Sequence, residues 1–517
     1  MTTQIATSVA EAPVKTPTQS QIKVQFTTKH PDIALPENSG PILIPTNLRR
    51  YGLSTLVNHL LGTSSPTPLD FLISGSFLRT SIDDYLTANG LSTETSLSLE
   101  YVRALTPPQY RTSFQHDDWV SCVDILSATS PASILGSTSR MPPLPQGQAR
   151  ILSGSYDGLL RIWNASTQEL LATSPSSQID AGSRGSGSSV KAAKFLSPTS
   201  LVSSAMDGTI RVWKYTDTSM SNSTDQPIPN AAITLAPSLE LLSHRISVDA
   251  LSVHPPSNRI LSASTDNTIR FWSSKKSECS PAPPSLTRVR SQSKRRKTGP
   301  TTTIPQRGPL STLSAHSSPV SSVLFASEHA GSVAYSTSWD HSLRTWDLET
   351  STSVDARTTS SSLLSLTELP AVNALAAGSS ARHIVLIDPR ASATTVAAMT
   401  LKGHRGAVVS LSGEPHGGVG YGLVSGSHDG SCRIWDVRSR KSVGGTTEGE
   451  GSIGASVYTI EREEMRKRKG GKPAGGEGIK VFGVAWDQEV GIVSAGEDKR
   501  VQVNRGVEVG NVANGDR

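Results

Sequence analysis

Short runs of alternating apolar and polar residues, broken by Asp-Gly or Asp-Asn, recur along most of this chain. Aligned on an apolar-Ser start they read ILSGSYDGLLRIWN from Ile151, LVSSAMDGTIRVWK from Leu201, ILSASTDNTIRFWS from Ile260, VAYSTSWDHSLRTWD from Val333 and LVSGSHDGSCRIWD from Leu423. Two weaker copies, ALAAGSSARHIVLID from Ala374 and IVSAGEDKRVQVNR from Ile492, bring the set to seven. In the five strong copies an Asp precedes a Trp by six positions: Asp157/Trp163, Asp207/Trp213, Asp266/Trp272, Asp340/Trp346 and Asp429/Trp435. Each copy predicts a strand, a tight turn and a second strand whose alternate residues, such as Leu160 and Ile162, face a core. A His with Val four positions on precedes four copies, at His116, His244, His316 and His404, and adds a further strand.

Fixed-period strand repeats of this kind resemble the WD-repeat β-propeller, with its Gly-His and Trp-Asp signatures on four-stranded blades. The expected fold is mainly β, a seven-bladed propeller over residues 105–506. These 402 residues give about 57 per copy, more than the ~40–45 of a minimal repeat, so insertions are required. Composition places them near 164–188, 215–234, 273–309 and 441–478, which are rich in Ser, Thr, Pro, Gly or charge and are expected to be disordered.

Residues 21–104 have a different pattern. Ile22, Val24 and Phe26 alternate as a strand, and Ser54 stands as a helix cap before TLVNHLL. Further strands are expected at Phe71–Ile73, at Phe77 and Leu78, and at Leu97, Leu99 and Tyr101, after a helix near 81–88. This order suggests a small α+β domain of the ubiquitin-like, β-grasp type. It runs directly into the propeller through YVRALTPPQY, so it reads as an interaction module and not as a conjugated tag. Residues 1–20 and 507–517 read as tails.

No run approaches the ~20 apolar residues that span a bilayer, and the N-terminus has no apolar signal core. No membrane association is expected. Cys122, Cys279 and Cys432 are widely separated, which argues against disulfides or a cysteine zinc site. The chain's net charge is +6, but residues 275–297 hold eight basic side chains against one acid, leaving the rest at −1. A folded surface that tracks nucleic acid throughout is therefore not expected. The run Lys294, Arg295, Arg296 and Lys297 fits a nuclear-import signal or a contact with RNA. Near EREEMRKRK, from Glu461, a short charged helix with local ion pairs is expected.

Ser, His and Asp recur, but at equal offsets in several copies. That is the behaviour of a structural hydrogen-bond network, not of one catalytic triad. Its expected members are His116, Asp157, Trp163, Asp207, Trp213, His244, Asp266, Trp272, His316, Asp340, Trp346, His404, Asp429, Trp435 and Asp498. The fifth copy has Ala381 and Ile387 in place of Asp and Trp, and the seventh keeps Asp498 but has Asn504, so apolar packing is expected to hold both. With no phosphate-binding glycine loop and no HExxH, neither an enzyme nor a cofactor of its own is expected.

The segment LRRYGLSTLVNHLLGTSSPTPLDFLISGSFLRTSIDDYLTANGLSTETSLSLEYVRALTPP resembles the Notchless-like N-terminal domain. Followed by HDDWVSCVDI and the repeats, it is similar over the whole chain to the ribosome-biogenesis WD-repeat proteins of the Pescadillo and block-of-proliferation complex. The resemblance implies a non-enzymatic assembly factor for the large (60S) ribosomal subunit, acting in rRNA processing in the nucleolus and nucleoplasm. It implies a propeller bound to the block-of-proliferation partner, and through it to Pescadillo, on pre-60S particles. It further implies an N-terminal domain docked on midasin, an AAA ATPase. There Glu94, in LSTETSL, would complete in trans the metal-ion-dependent adhesion site of midasin. A ubiquitin-pathway substrate adaptor is the competing reading.

Overall fold

The computed structural model describes residues 20–29, 31–36, 40–62, 66–136, 144–175, 188–216, 234–286, 304–329, 331–391, 399–415, 420–441, 452–467 and 478–506. The expected tails and the four basic residues from Lys294 to Lys297 lie outside these, apart from Ser20. The chain divides into two compact units between Thr106 and Pro107.

In the first unit, β1 (Gln21–Thr27), β2 (Ile42–Pro45), α1 (Arg50–Leu61), β3 (Leu69–Ile73), β4 (Ser76–Phe77), α2 (Ile82–Asn89) and β5 (Leu97–Arg103) follow in order. They make one sheet in the order β2-β1-β5-β3-β4, with β1 and β5 parallel. Alternation on β1 buries Ile22 and Val24 against Leu53 and Val57 of α1 and Phe71 of β3. The helix α2 begins at Ser81, whose hydroxyl accepts from the Asp84 N–H at 3.2 Å while Asp84 returns a bond to the Ser81 N–H at 3.3 Å. Ser54 is not a cap. The helix α1 starts four residues earlier, and the Ser54 hydroxyl instead accepts from the Leu69 N–H at 3.2 Å, tying α1 to β3.

In the second unit, among the described residues, the strands fall into seven four-stranded antiparallel groups; one of them gains a short fifth strand, and two join into an eight-stranded sheet. The third group shows the pattern: Val248–His254, Arg259–Ser264, Ile269–Ser273 and Ser311–Leu313. First strands of successive groups pack in sequence, and that of the last, Val481–Asp487, packs on that of the first, Val120–Leu126, so the groups close into a ring. Closure is covalently economical. Pro108–Gln115, the strand that opens the unit, pairs antiparallel with Arg500–Gly506 near its end, in the register Phe114 to Val501. No long sheet edge is left at the join.

Apolar residues of neighbouring groups share each seam, as when Leu261, Ile269 and Leu313 meet Val320, Phe325 and Trp346. Close approach is needed there. A Cβ on Gly426 would lie 2.6 Å from Val484 of the next group, and one on Gly154 would lie 2.6 Å from Val190. The turns explain the Asp-Gly pattern: Gly158, Gly208 and Gly430 take φ of 81°, 81° and 78°, and Asn267, His341 and Lys499 occupy the same left-handed place at 64°, 67° and 62°.

Three insertions contain more structure than composition implies. Within 164–188, Leu170–Thr173 is the fourth strand of the first group, paired with Leu160–Asn164. Within 441–478, Ser452–Glu461 is the fourth strand of the sixth group and Glu463–Lys467 is a helix. Its Tyr458 and Ile460 fall two positions apart, but so short a period is masked by the flanking Gly and Lys/Arg runs. Within 273–309, Gln306–Arg307 pairs in parallel with Thr234–Leu241, the fourth strand of the second group. Of the charged helix, Glu464 reaches Arg500 outside it at 3.1 Å, while the side chains of the basic residues from Arg466 lie outside the described ones.

Candidate functional site

The recurring polar residues assemble fully in three repeats. In the third, His244 Nδ1 lies 2.8 Å from Asp266, His244 Nε2 lies 2.7 Å from Ser262 Oγ, and Trp272 Nε1 donates to the same hydroxyl at 2.8 Å. His316, Asp340, Ser336 and Trp346 repeat this, as do His404, Asp429, Ser425 and Trp435. An ionised Asp only accepts, so the imidazole proton sits on Nδ1, Nε2 accepts from the serine, and the serine oxygen accepts from the indole. Each ring nitrogen and hydroxyl of this relay is thereby paired.

Burial lowers the pKa of His244 and His316 against the opposing pull of Asp266 and Asp340, and both rings stay neutral. Burial alone would raise the carboxyls of Asp266, Asp340 and Asp429, but bonds from the imidazoles and from the turn residues Thr268, Ser342 and Ser431 hold them well below the usual carboxylate range. A neutral imidazole, locked between a structural Asp and a hydroxyl already occupied by an indole, has no free nucleophile to activate.

The other repeats depart from this arrangement. In the first, His116 and Trp163 share Ser153 at 2.8 and 3.0 Å, but Asp157 turns to Arg161 at 2.7 Å and leaves His116. Arg161 claims that carboxylate because it is buried and bridges it to Asp117. In the second, Trp213 donates to Ser203 at 2.8 Å and Asp207 holds the Thr209 N–H at 3.0 Å, with no His among the described residues. In the fifth, Ala377 and Ile387, at the Ser and Trp places, are buried in an apolar cluster, whereas Ala381, at the Asp place, is exposed.

The seventh repeat is not held by apolar packing alone. Arg462, which follows the fourth strand of the sixth group as His404 follows that of the fifth, is 1% exposed and points into this repeat. Its guanidinium donates to both Asp498 oxygens and to Ser494 Oγ at 2.8 Å. Asn504, in the Trp place, accepts from Gln502 at 2.8 Å.

These networks fix the turns, and the turns carry an aromatic surface that spacing did not single out. Trp119 lies 5.8 Å from Tyr156 and 6.1 Å from Phe482, and His428 lies 6.0 Å from Phe482, between ring centroids. Lys191 stands over Tyr156 at 5.1 Å. Tyr156 and His428 each immediately precede a turn Asp, as do Met206 and Trp339, so all four project from the same end of the ring. Trp119, Trp339 and Met206 remain 40%, 51% and 56% exposed. The available signal was the residue between the second-strand Ser and the Asp, large and apolar where the fold itself asks for nothing.

In the first unit Glu94 is exposed on the turn between α2 and β5. Ser92 braces that turn, its hydroxyl accepting the Glu94 N–H at 3.3 Å and its carbonyl taking the Thr95 hydroxyl at 2.8 Å. Among the described residues no three His, Cys, Asp or Glu side chains converge on a possible metal position, so Glu94 could only be one ligand of a metal held elsewhere.

Comparison with known proteins gives the class. The NLE (NUC135) domain model matches residues 22–86, and the WD domain, G-beta repeat model matches 108–164, 181–214, 236–273, 307–347 and 396–436. This is a mainly β WD-repeat scaffold with an N-terminal NLE domain, not an enzyme. The chain is 59% identical over 493 residues to "Ribosome biogenesis protein ytm1" of Aspergillus oryzae, covering 95% of this chain and 96% of that one. It is 57% identical to the protein of the same name from Neosartorya fischeri and 56% to that from Emericella nidulans, each over 94% of this chain and 96% of the relative. The chain belongs to the family of ribosome biogenesis protein ytm1.

Proposed function

We propose that this ribosome biogenesis factor is a two-point tether on precursors of the large subunit. The ring, read as a seven-bladed propeller, holds the block-of-proliferation propeller protein, and Pescadillo through it. The N-terminal domain offers Glu94 to the metal-ion-dependent adhesion site of midasin, whose ATP hydrolysis supplies the force for release. Its place of action is the nucleus, in nucleolus and nucleoplasm.

The observation that carries this reading is that two separately folded units each expose one anchor of the right chemistry. Trp119, Tyr156, Phe482 and Trp339 supply the rigid aromatic area that dominates protein interfaces. Glu94 supplies a carboxylate with no ion pair among the described residues, on a turn braced by hydrogen bonds, which suits a hard divalent cation with one open position. Two attachments also strengthen each other through effective concentration, so neither has to be tight alone.

The test is binding of the 1–106 unit to the metal-site domain of midasin, with Mg²⁺ and with EDTA, comparing wild type with Glu94→Ala. Loss of binding in both EDTA and the variant supports the tether. Binding indifferent to both removes Glu94 from the metal, and capture of ubiquitin-ligase subunits by a folded wild type that ignores midasin replaces the tether with the adaptor reading.

A further inference from the structure

A cavity of about 350 Å³ lies between the fourth and fifth groups of the ring, away from the aromatic surface; of the repeat networks only Trp346 lines it. One wall is apolar, with Val333, Val354 and Leu375; Val354 is 68% exposed, so the cavity reaches solvent. Another wall carries Glu328, Glu368 and the phenol of Tyr335.

These polar groups are incompletely matched. Glu368 accepts the Ser327 N–H at 2.9 Å, and Glu328 meets the Asn373 amide at 3.0 Å, yet neither carboxylate has an ion pair among the described residues. Tyr335 is only 7% exposed, and its hydroxyl has no hydrogen-bond partner among them. Open to the cavity, that phenol oxygen can take a hydrogen bond from a donor that enters it. The nearby guanidinium groups are engaged with other partners: Arg390, which also lines the cavity, lies 3.5 Å from Asp388 and 3.1 Å from the Asn373 amide oxygen, and Arg357 is paired with Asp355 at 2.8 Å. Burial, reinforced by Glu368 and Glu328, raises the Tyr335 pKa above its usual value, which keeps the hydroxyl neutral and its oxygen free to accept.

The uncompensated charge therefore favours a cation, and the apolar wall says which kind. A bare metal ion would need a converging set of ligands, and no such set occurs among the described residues. A guanidinium or ammonium on a methylene stem uses both walls at once. The volume, near the lower end for ligand sites, suits one side chain. We propose that this cavity seats an arginine or lysine side chain from a basic segment of a partner protein, its head between Glu328, Glu368 and the Tyr335 oxygen and its stem on Val333, Val354 and Leu375.

The experiment uses the full chain labelled with 3-fluorotyrosine, whose nine tyrosines give resolvable ¹⁹F resonances, with Tyr335 assigned by Tyr335→Phe. N-acetyl-arginine methylamide and N-acetyl-lysine methylamide are titrated as probes, with N-acetyl-norleucine methylamide as the uncharged control. The expected result is a saturable shift of the Tyr335 resonance by a cationic probe, weakened at least tenfold in Glu328→Gln/Glu368→Gln while the other resonances stay in place. On the wild type alone, added NaCl should weaken the same binding. An equal, salt-independent response to norleucine, or no saturable response to either cation, overturns the proposal.

Discussion

Arg462 donates Nε–H to Asp498 at 3.0 Å in the place where, one repeat earlier, His404 meets Asp429 at 2.9 Å. An ion pair with both partners almost fully buried thus replaces a neutral imidazole bond. Breaking such a pair from one side leaves an uncompensated buried charge. Arg462→Met should therefore destabilise the ring unit by about 3–5 kcal/mol. Adding Asp498→Leu should return much of that loss, because an apolar pair of similar volume escapes the desolvation cost. Urea unfolding of the two variants tests this, and equal stability of single and double variants would count against it.

The same residue shows what sequence reading reaches and where it stops. The five strong repeats were legible because a buried hydroxyl, an Asp turn and a Trp recur at fixed offsets, and the ring follows from them. Arg462 was hidden because the signal for the first network residue is an apolar position four residues later. Here the next first strand begins at Val481, beyond an insertion, and Arg462 sits inside a charged run. Asp157 misled for the opposite reason: its spacing is right, but Arg161, four residues on, takes its carboxylate. Ser54 looked like a cap because it precedes an apolar run, while α1 begins at Arg50 on a residue with no side-chain cap. The aromatic surface was invisible to periodicity, since those positions do no folding work.

Serine at the second strand differs in value from repeat to repeat. Ser262 serves both Trp272 and His244, whereas Ser203 serves Trp213 alone among the described residues. Ser262→Ala strands two buried polar groups and should cost about 2–4 kcal/mol, against about 1–2 kcal/mol for Ser203→Ala. Denaturant midpoints of the two variants should fall in that order. Equal losses would mean that His244 finds another partner.

Acid should weaken the fold through its buried imidazoles. Burial, with Arg161 nearby, pushes the His116 pKa down to about 4 from its usual 6.5, so the unfolded chain takes up this proton first as pH falls. The folded state's advantage is complete above pH 6.5 and is lost progressively down to about pH 4. For His116 alone the loss approaches about 3 kcal/mol. His244 and His316, also lowered, add to it with the same sign, while the depressed Asp266 and Asp340 lose their contribution only below the usual carboxylate range. Urea unfolding between pH 7.5 and 4.5 should show this slope, and His116→Gln should make it shallower. A variant with an unchanged slope would remove His116 from the account.

The aromatic surface gives the sharpest test of the proposed contact between the ring and the block-of-proliferation propeller. Trp119 touches Tyr156 and Phe482 along its edge and keeps 40% of its surface open, so its truncation removes contact area with little disturbance to the core. If this is the centre of the interface with the block-of-proliferation propeller, Trp119→Ala should cost at least about 2 kcal/mol, roughly a thirtyfold loss in affinity. Leu170 offers the control, because it is 47% exposed on the fourth strand of the first group, off the turn end that carries the aromatics. Leu170→Ala should leave affinity within a factor of about two, as expected of an isolated surface apolar residue. Calorimetric titration of the full chain against that propeller measures both, and loss in the Leu170 variant with retention in Trp119→Ala would move the interface to the outer edge of the ring.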